Sequence, residues 1–394
     1  MAVLSEASTK YLEGTEENKS TKTITFIVTE DCQLRCKYCY IVGKNSISRM
    51  SFDTAKSAID YVLNNNDFVK EQSVVWDFIG GEPLLEIKLI TQICDYIKEQ
   101  LFLLNHPWFN SYHFNFSTNG INYSDPMVQQ LIESNLTHLS IGISLDGTHE
   151  KHDLNRVFPS GKGSYSEIVK NVPLWLEQFP NASTKATVSH VDLAFIKDSV
   201  INLWNLGIRS VNMNVVFEDV WKEGDDDVLE KQLIGLADYI VENKLYPEYS
   251  CSFFDRNIGK SIDREFDNQN WCGAGKMLAV DPQGNFYPCM RFAAYSLTNH
   301  PSVIIGNSQK GIDKNKLRPF LSLTRSSQSP EECMDCEVAS GCAWCVGFNY
   351  DSASIPTIFQ RATFLCKLHK ARVKANNYFW NKLKETNQLE RNYN

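Results

Sequence analysis

Thr29–Tyr40 reads TEDCQLRCKYCY. Three thiols, Cys32, Cys36 and Cys39, stand close together, directly after an apolar run that predicts a strand from Ile24 to Thr29. Thiolates spaced CxxxCxxC suit three corners of an iron–sulfur cubane and leave a fourth iron without a protein ligand, an open position for chemistry. A structural zinc ion would need a fourth ligand, and the nearest histidine, His106, lies far along the chain.

Outward from this loop the chain alternates. Strands are expected at Ile24 to Thr29, Ser73 to Ile79, Tyr112 to Ser117, Leu139 to Leu145, Thr184 to Val188 and Ser210 to Val216. Amphipathic helices are expected near 53–64, 87–103, 125–135, 164–178, 194–206 and 226–243. Six strand-then-helix units imply an α/β fold with a parallel sheet, either an open doubly wound sheet or a partial barrel, and in both the ligand lies at the carboxyl ends of the strands. The short polar motifs fall there: TEDCQLRCKYCY after the first strand, GGEPL after the second, STNG after the third, SLDG after the fourth. Past Pro247 the alternation stops, and from Cys272 to Cys366 the chain is loop-rich. The expected division is a polar, mobile tail at 1–22, the strand–helix region at 23–246, a bridge at 247–271, a cysteine-organised region at 272–370, and a C-terminal helix and tail at 371–394. The closing helix is read from the basic amphipathic stretch Lys367 to Lys384.

Of 394 residues, 43% are hydrophobic and 22% charged, ordinary usage for a globular chain, and the net charge of −8 has the wrong sign for nucleic-acid binding. The N-terminus has no apolar signal region, and no apolar run approaches the ~18 residues that span a bilayer, so a cytoplasmic location without membrane contact is expected. In that reducing compartment twelve cysteines, mostly clustered, read as metal ligands before disulfides.

CxxxCxxC with Tyr38 before its last cysteine resembles the radical S-adenosylmethionine (SAM) superfamily. The resemblance implies a partial (β/α)6 barrel and a 4Fe-4S cluster on Cys32, Cys36 and Cys39, whose open iron is chelated by the amino and carboxylate groups of S-adenosylmethionine (AdoMet). Reductive cleavage then gives methionine and a 5'-deoxyadenosyl radical that abstracts a substrate hydrogen. By the same resemblance Gly80, Gly81 and Glu82 face the methionine amino group. The two glycines allow close backbone approach to a ligand and Glu82 accepts from the ammonium. Ser144 and Arg156, in SLDGTHEKHDLNR, match positions contacting the ribose and carboxylate, with a surface ion pair as the alternative for Arg156. Ser117 and Asn119 are further contacts, with an Asn-Gly turn as the alternative. His149 and His152 read as neutral surface histidines near a helix start.

Seven later cysteines come as CGAGKMLAVDPQGNFYPC, with DPQG the turn of a hairpin, then CMDCEVASGCAWC, then Cys366. Their order resembles the SPASM domain, which carries two auxiliary 4Fe-4S clusters. It implies that Cys272, Cys289 and Cys345 hold auxiliary cluster I, and that Cys333, Cys336, Cys342 and Cys366 hold auxiliary cluster II. The family usually has three residues before the fourth member of the close group, whereas only Ala343 and Trp344 precede Cys345. Cluster I is left either with an open iron or with Cys251 as its fourth ligand. Cys94 reads as a buried small hydrophobe.

Enzymes of this class act chiefly on peptides and proteins. The expectation is an oxidoreductase of peptide maturation that forges thioether bonds from Cys sulfur to a carbon of another residue in a ribosomally made precursor (RiPP), as in sactipeptides and ranthipeptides. It would use three 4Fe-4S clusters, AdoMet, a Cys-containing precursor peptide, and an electron donor such as flavodoxin or ferredoxin. The alternative is an anaerobic sulfatase-maturating enzyme, but those carry Asp directly after the GxxxxC cysteine, where this chain has Met290. A non-enzymatic iron–sulfur electron carrier or zinc-structured binding protein is the reading from another class. The acidic run Glu218 to Asp227 is either a surface for a basic leader or a solvated helix start. No catalytic base is identified.

Overall fold

The computed structural model describes residues 21–389 apart from Gly43, Asn45, Asn66 and Val69; residues 1–20 of the expected tail at 1–22, and the end at 390–394, lie outside the described residues. Strand β1 spans Thr21–Thr29, so Thr21 and Lys22, assigned to the tail, open the first strand. It pairs in parallel with β2 (Ser73–Gly80), which pairs with β3 (Tyr112–Thr118), which pairs with β4 (Leu139–Ile143). Strands β5 (Ser183–Val188), β6 (Ser210–Val215) and β7 (Ser250–Cys251) form a second parallel block. No ladder joins β4 to β5 among the described residues. The Thr184 hydroxyl bridges the gap, donating to Ile143 O at 2.7 Å and accepting from Leu145 N at 3.1 Å. The parallel strands β1 to β7 therefore fall into blocks of four and three.

The helices cover the outer face by burying one stripe each. Phe52–Leu63 starts at Ser51, whose Oγ accepts from Thr54 N at 3.0 Å, and buries Ala55, Ala58, Ile59 and Val62. The single helix expected near 164–178 is broken into Tyr165–Val169 and Val172–Gln178. Pro173 opens the second piece, and Asn171 Nδ2 turns aside to Gly120 O at 2.8 Å.

The inner face is polar. Register aligns Thr25, Asp77, Asn115 and Ser140 on four neighbouring strands. Asn115 Nδ2 donates to Asp77 Oδ1 at 2.5 Å and Ser140 Oγ to Asn115 Oδ1 at 2.8 Å. Closed barrels fill this space with branched apolar side chains; a row of hydrogen-bonding groups suits a hollow meant for a ligand.

The cysteine-rich region shares the barrel's sheet. β8 (Leu278–Val280) lies parallel to β1 on its free edge and turns through Asp281–Gly284 into antiparallel β9 (Asn285–Tyr287), followed by β10 (Gly306–Asn307) and β11 (Gly311–Ile312). Gly284 adopts φ of +81° in that turn. The closing helix Cys366–Glu385 packs along Asp225–Glu242, where Tyr378 Oη donates to Asp238 at 2.7 Å and Lys374 pairs with Glu230 at 3.1 Å. Among the described residues no helix is long and apolar enough to cross a membrane.

Candidate functional site

The first three thiols lie on the loop leaving β1. This loop is clasped by backbone bonds: Glu82 N donates to Asp31 O at 2.8 Å and Arg35 N to Val157 O at 2.7 Å. A Cβ on Gly81 would stand 2.1 Å from Asp31 O, and one on Gly80 2.3 Å from Thr29 O. The two glycines thus let the end of β2 lie flush against the cysteine loop itself, a closer constraint than the ligand approach anticipated from sequence. Leu34 N reaches Cys32 Sγ at 3.4 Å and Asn119 Nδ2 at 3.9 Å. Burial pushes the Cys32 thiol up to about 12, so its thiolate form needs a cationic partner.

Glu82 is 1% exposed. Its Oε1 accepts from Thr118 Oγ1 at 2.6 Å and Leu84 N at 3.1 Å, and its Oε2 from Asn119 N at 2.7 Å. A carboxylate has about four acceptor positions, so one remains. Burial, outweighing these donors, pushes the carboxyl up to about 7.

Arg156 makes no surface ion pair. It is buried, donates Nε to Asp146 Oδ2 at 2.9 Å and lies 5.5 Å over the Tyr38 ring, whose Oη donates to the same oxygen at 2.5 Å. Burial opposes a charge on Asp146, yet Arg156 and then Lys151 hold its carboxyl well below the usual range. The terminal nitrogens of Arg156 carry no hydrogen bond to a described residue, leaving a fork beside Cys36. His152 is fully buried, contrary to the surface expectation. It accepts from Asp146 N at 3.3 Å and meets Ser164 Oγ at 3.0 Å, and burial drives it down to about 3, a neutral ring supporting Asp146. His149 is exposed beside Asp153. Asn119 stands at the cysteine loop, but Ser117 faces the hollow and accepts from Lys185 Nζ at 2.6 Å. Ser144 follows β4, its N donating to Thr118 O at 2.9 Å.

The thiols that act electrostatically on one another fall into three sets: Cys32, Cys36 and Cys39; Cys272, Cys289 and Cys345; Cys333, Cys336, Cys342 and Cys366. Cys345 Sγ also caps the helix Val346–Ser352, accepting from Phe348 N at 3.5 Å. No three His, Cys, Asp or Glu side chains among the described residues converge on a single metal ion; a cubane instead spreads its cysteines over separate irons. Cys251 lies apart from the second set, buried on β7 beside Phe253 and Arg372, so it does not close that set. Cys94 is fully buried in the helix Ile87–Leu103. The acidic run opens the helix Asp225–Glu242 with Asp225, Asp226 and Asp227 in its first turn, as the helix-start reading expects, although Asp225 is buried and bonded to His190 at 2.8 Å and Glu218 pairs with Arg291 at 3.0 Å.

Residues 26–192 match the Radical SAM superfamily model. The chain carries a radical SAM domain. MJ0907, an uncharacterised protein of Methanocaldococcus jannaschii, is 28% identical to it over 304 residues, 75% of this chain and 91% of that one. The radical SAM cyclopropyl synthase TigE of Paramaledivibacter caminithermalis is 23% identical over 366 residues, 84% and 69% of the two chains. A serine-type anaerobic sulfatase-maturating enzyme of Bacteroides thetaiotaomicron is 22% identical over 342 residues, 79% and 78%. In fold, this radical SAM chain resembles anSMEcpe with bound AdoMet and Cp18Cys peptide, with a TM-score of 0.67 at 19% identity over 94% of this chain and all of that one. It also resembles Streptococcus suis SuiB bound to precursor peptide SuiA, with a TM-score of 0.58 at 15% identity, 87% and 76% covered.

Sequence reasoning passed over Thr118, Asp146 and Arg291. The first two stood inside the quoted STNG and SLDG motifs, and Arg291 follows Cys289 by two positions. Position in a motif was the available signal, but only the folded chain shows that each points at a neighbouring motif.

Proposed function

We propose that this radical SAM enzyme is a peptide maturase that joins Cys sulfur to a carbon of another residue in a ribosomally made precursor, using three 4Fe-4S clusters and AdoMet. The observation that carries the reading is the grouping of ten thiols into sets of three, three and four, in which the set Cys272, Cys289 and Cys345 has no fourth cysteine among the described residues. The residues present fit the cofactors. Buried thiols require iron to ionise, Glu82 keeps an acceptor position for an amino N–H, and the Arg156 fork suits a carboxylate. Bound together, the first cluster and AdoMet supply a radical that takes a hydrogen atom from a substrate carbon. The chain's own part is orientation and exclusion of water. Glu82 and Arg156 hold the two ends of the methionyl group, and Tyr38 and Asp146 fix the Arg156 fork. The polar hollow with Asp77, Asn115 and Ser140 receives the peptide. A flavodoxin or ferredoxin would deliver the electron.

The test is incubation of the reconstituted enzyme with AdoMet, dithionite and a Cys-containing precursor encoded beside its gene. A thioether retains sulfur and loses a pair of hydrogens in the mass spectrum, with 5'-deoxyadenosine formed. No 5'-deoxyadenosine with full iron loading refutes the reading. The fold likeness to anSMEcpe over nearly the whole chain favours a second reading, formylglycine formation. In that case a Cys substrate would lose its sulfur and gain an aldehyde, and the peptide mass separates the two.

A further inference from the structure

Arg291 lies next to the three-thiol set and is held on several sides. Its side chain is 14% exposed, one Nη pairs with Glu218 at 3.0 Å, and the guanidinium lies 4.3 Å from the centre of the Tyr40 ring, next to Cys39. A Cβ on Gly347 would come within 2.5 Å of Arg291 Cβ, so the helix that begins after Cys345 lies flush against it. Arg291 is the strongest charge acting on the Cys345 thiol, and it acts on Cys289 as well. Yet its Nε is buried with no hydrogen-bond partner among the described residues. The Tyr295 hydroxyl, near enough to Tyr40, Cys289, Arg291 and Cys39 to feel each of them, is also buried without one. Buried donors are almost always paired. Two unpaired donors beside three thiols call for an acceptor-rich body between them, and the sulfurs of an iron–sulfur cluster are such acceptors.

We propose that Arg291 sets the potential of auxiliary cluster I, donating its Nε–H to a sulfur of the cluster on Cys272, Cys289 and Cys345 and stabilising the reduced state with its charge. This rests on the reading that the trio holds a cluster. Hydrogen bonds to sulfur and nearby positive charge both favour the added electron, so they raise the reduction potential. Glu218 offsets that charge from the other side of the guanidinium and holds the potential down.

The experiment is an EPR-monitored redox titration of the full-length reconstituted protein carrying Cys32→Ala, Cys36→Ala and Cys39→Ala, so that only auxiliary signals remain. Cluster II, on Cys333, Cys336, Cys342 and Cys366, serves as the internal reference. Arg291→Gln is expected to lower the electron-accepting equilibrium constant of cluster I about tenfold or more, which for one electron is about 59 mV. Glu218→Gln is expected to shift it the opposite way, and Arg291→Lys to fall between Arg291→Gln and the parent. A merely structural role for Arg291 would not produce shifts of opposite sign. If Arg291→Gln fails to hold iron, the upward shift in Glu218→Gln carries the test. An unchanged cluster I potential in an iron-replete Arg291→Gln or Glu218→Gln protein overturns the inference alone. Absence of any cluster I signal from the parent protein overturns the cluster reading together with it.

Discussion

Glu82 carries a charge that its surroundings resist. Burial holds its carboxyl at about 7, while the proposed contact with the AdoMet amino group requires the ionised form to accept from its N–H. AdoMet affinity is therefore expected to be level above about pH 7 and to fall about tenfold per unit below it, as protonation removes the acceptor charge. Calorimetric titration across pH checks this, and Glu82→Gln should bind weakly with no such slope. Asp146 presents the opposite case, a buried carboxyl held ionised by Arg156 and Lys151. Asp146→Asn leaves Arg156 buried without its counter-charge and is expected to cost about 3–5 kcal/mol in denaturant unfolding. Because the Asp146 carboxyl is lowered by folding, its stabilisation is present above its ordinary value of 3.8 and is lost only as the solution becomes more acidic than that. Glu82 was singled out because GGEP follows the second strand and is similar to the family's motif there, whereas GGEP alone could be an ordinary turn. The supports around Arg156 were not legible in this way, because Tyr38, Asp146 and His152 meet only when the cysteine loop and the segment after β4 are folded against each other.

At the scale of elements, the cysteine loop and the end of β2 work as one unit, since Gly80 and Gly81 leave no room for a side chain between them. Gly81→Ala is expected to displace the loop at about 1–3 kcal/mol of overpacking and to lose the first cluster's EPR signal while the auxiliary signals persist. Strand and helix positions followed from local period, which is why β1 to β6 appear within a residue or two of their expected spans apart from the longer start of β1. The broken helix at 164–178 shows the limit: Pro173 was visible, but the pull of Gly120 O on Asn171 was not. The DPQG hairpin was likewise visible from its turn residues, whereas its seat on the edge of β1 depended on a partner far away in sequence.

Taken whole, the molecule places two thiol sets on one sheet, the first at the end of β1 and Cys289 beyond β9, with Tyr40, Arg291 and Tyr295 between them. Radical generation and later electron transfer should then be separable. Cys32→Ala is expected to abolish 5'-deoxyadenosine formation, whereas Cys345→Ala keeps that activity and loses crosslinked peptide; equal loss of both in a soluble, iron-loaded Cys345→Ala protein would count against the division. Spacing and period alone determined the iron–sulfur reading of the first thiols, the strand–helix alternation and the placement of each motif after its strand, because these are local properties of the chain, while the radical chemistry was expected from resemblance. Which thiols share a site was expected from resemblance, while the exclusion of Cys251, the burial of His152, the joining of the hairpin to the barrel's edge and the poise of Arg291 were decided by tertiary structure. Those depend on distant segments competing for the same buried space, and no local pattern records the outcome of that competition.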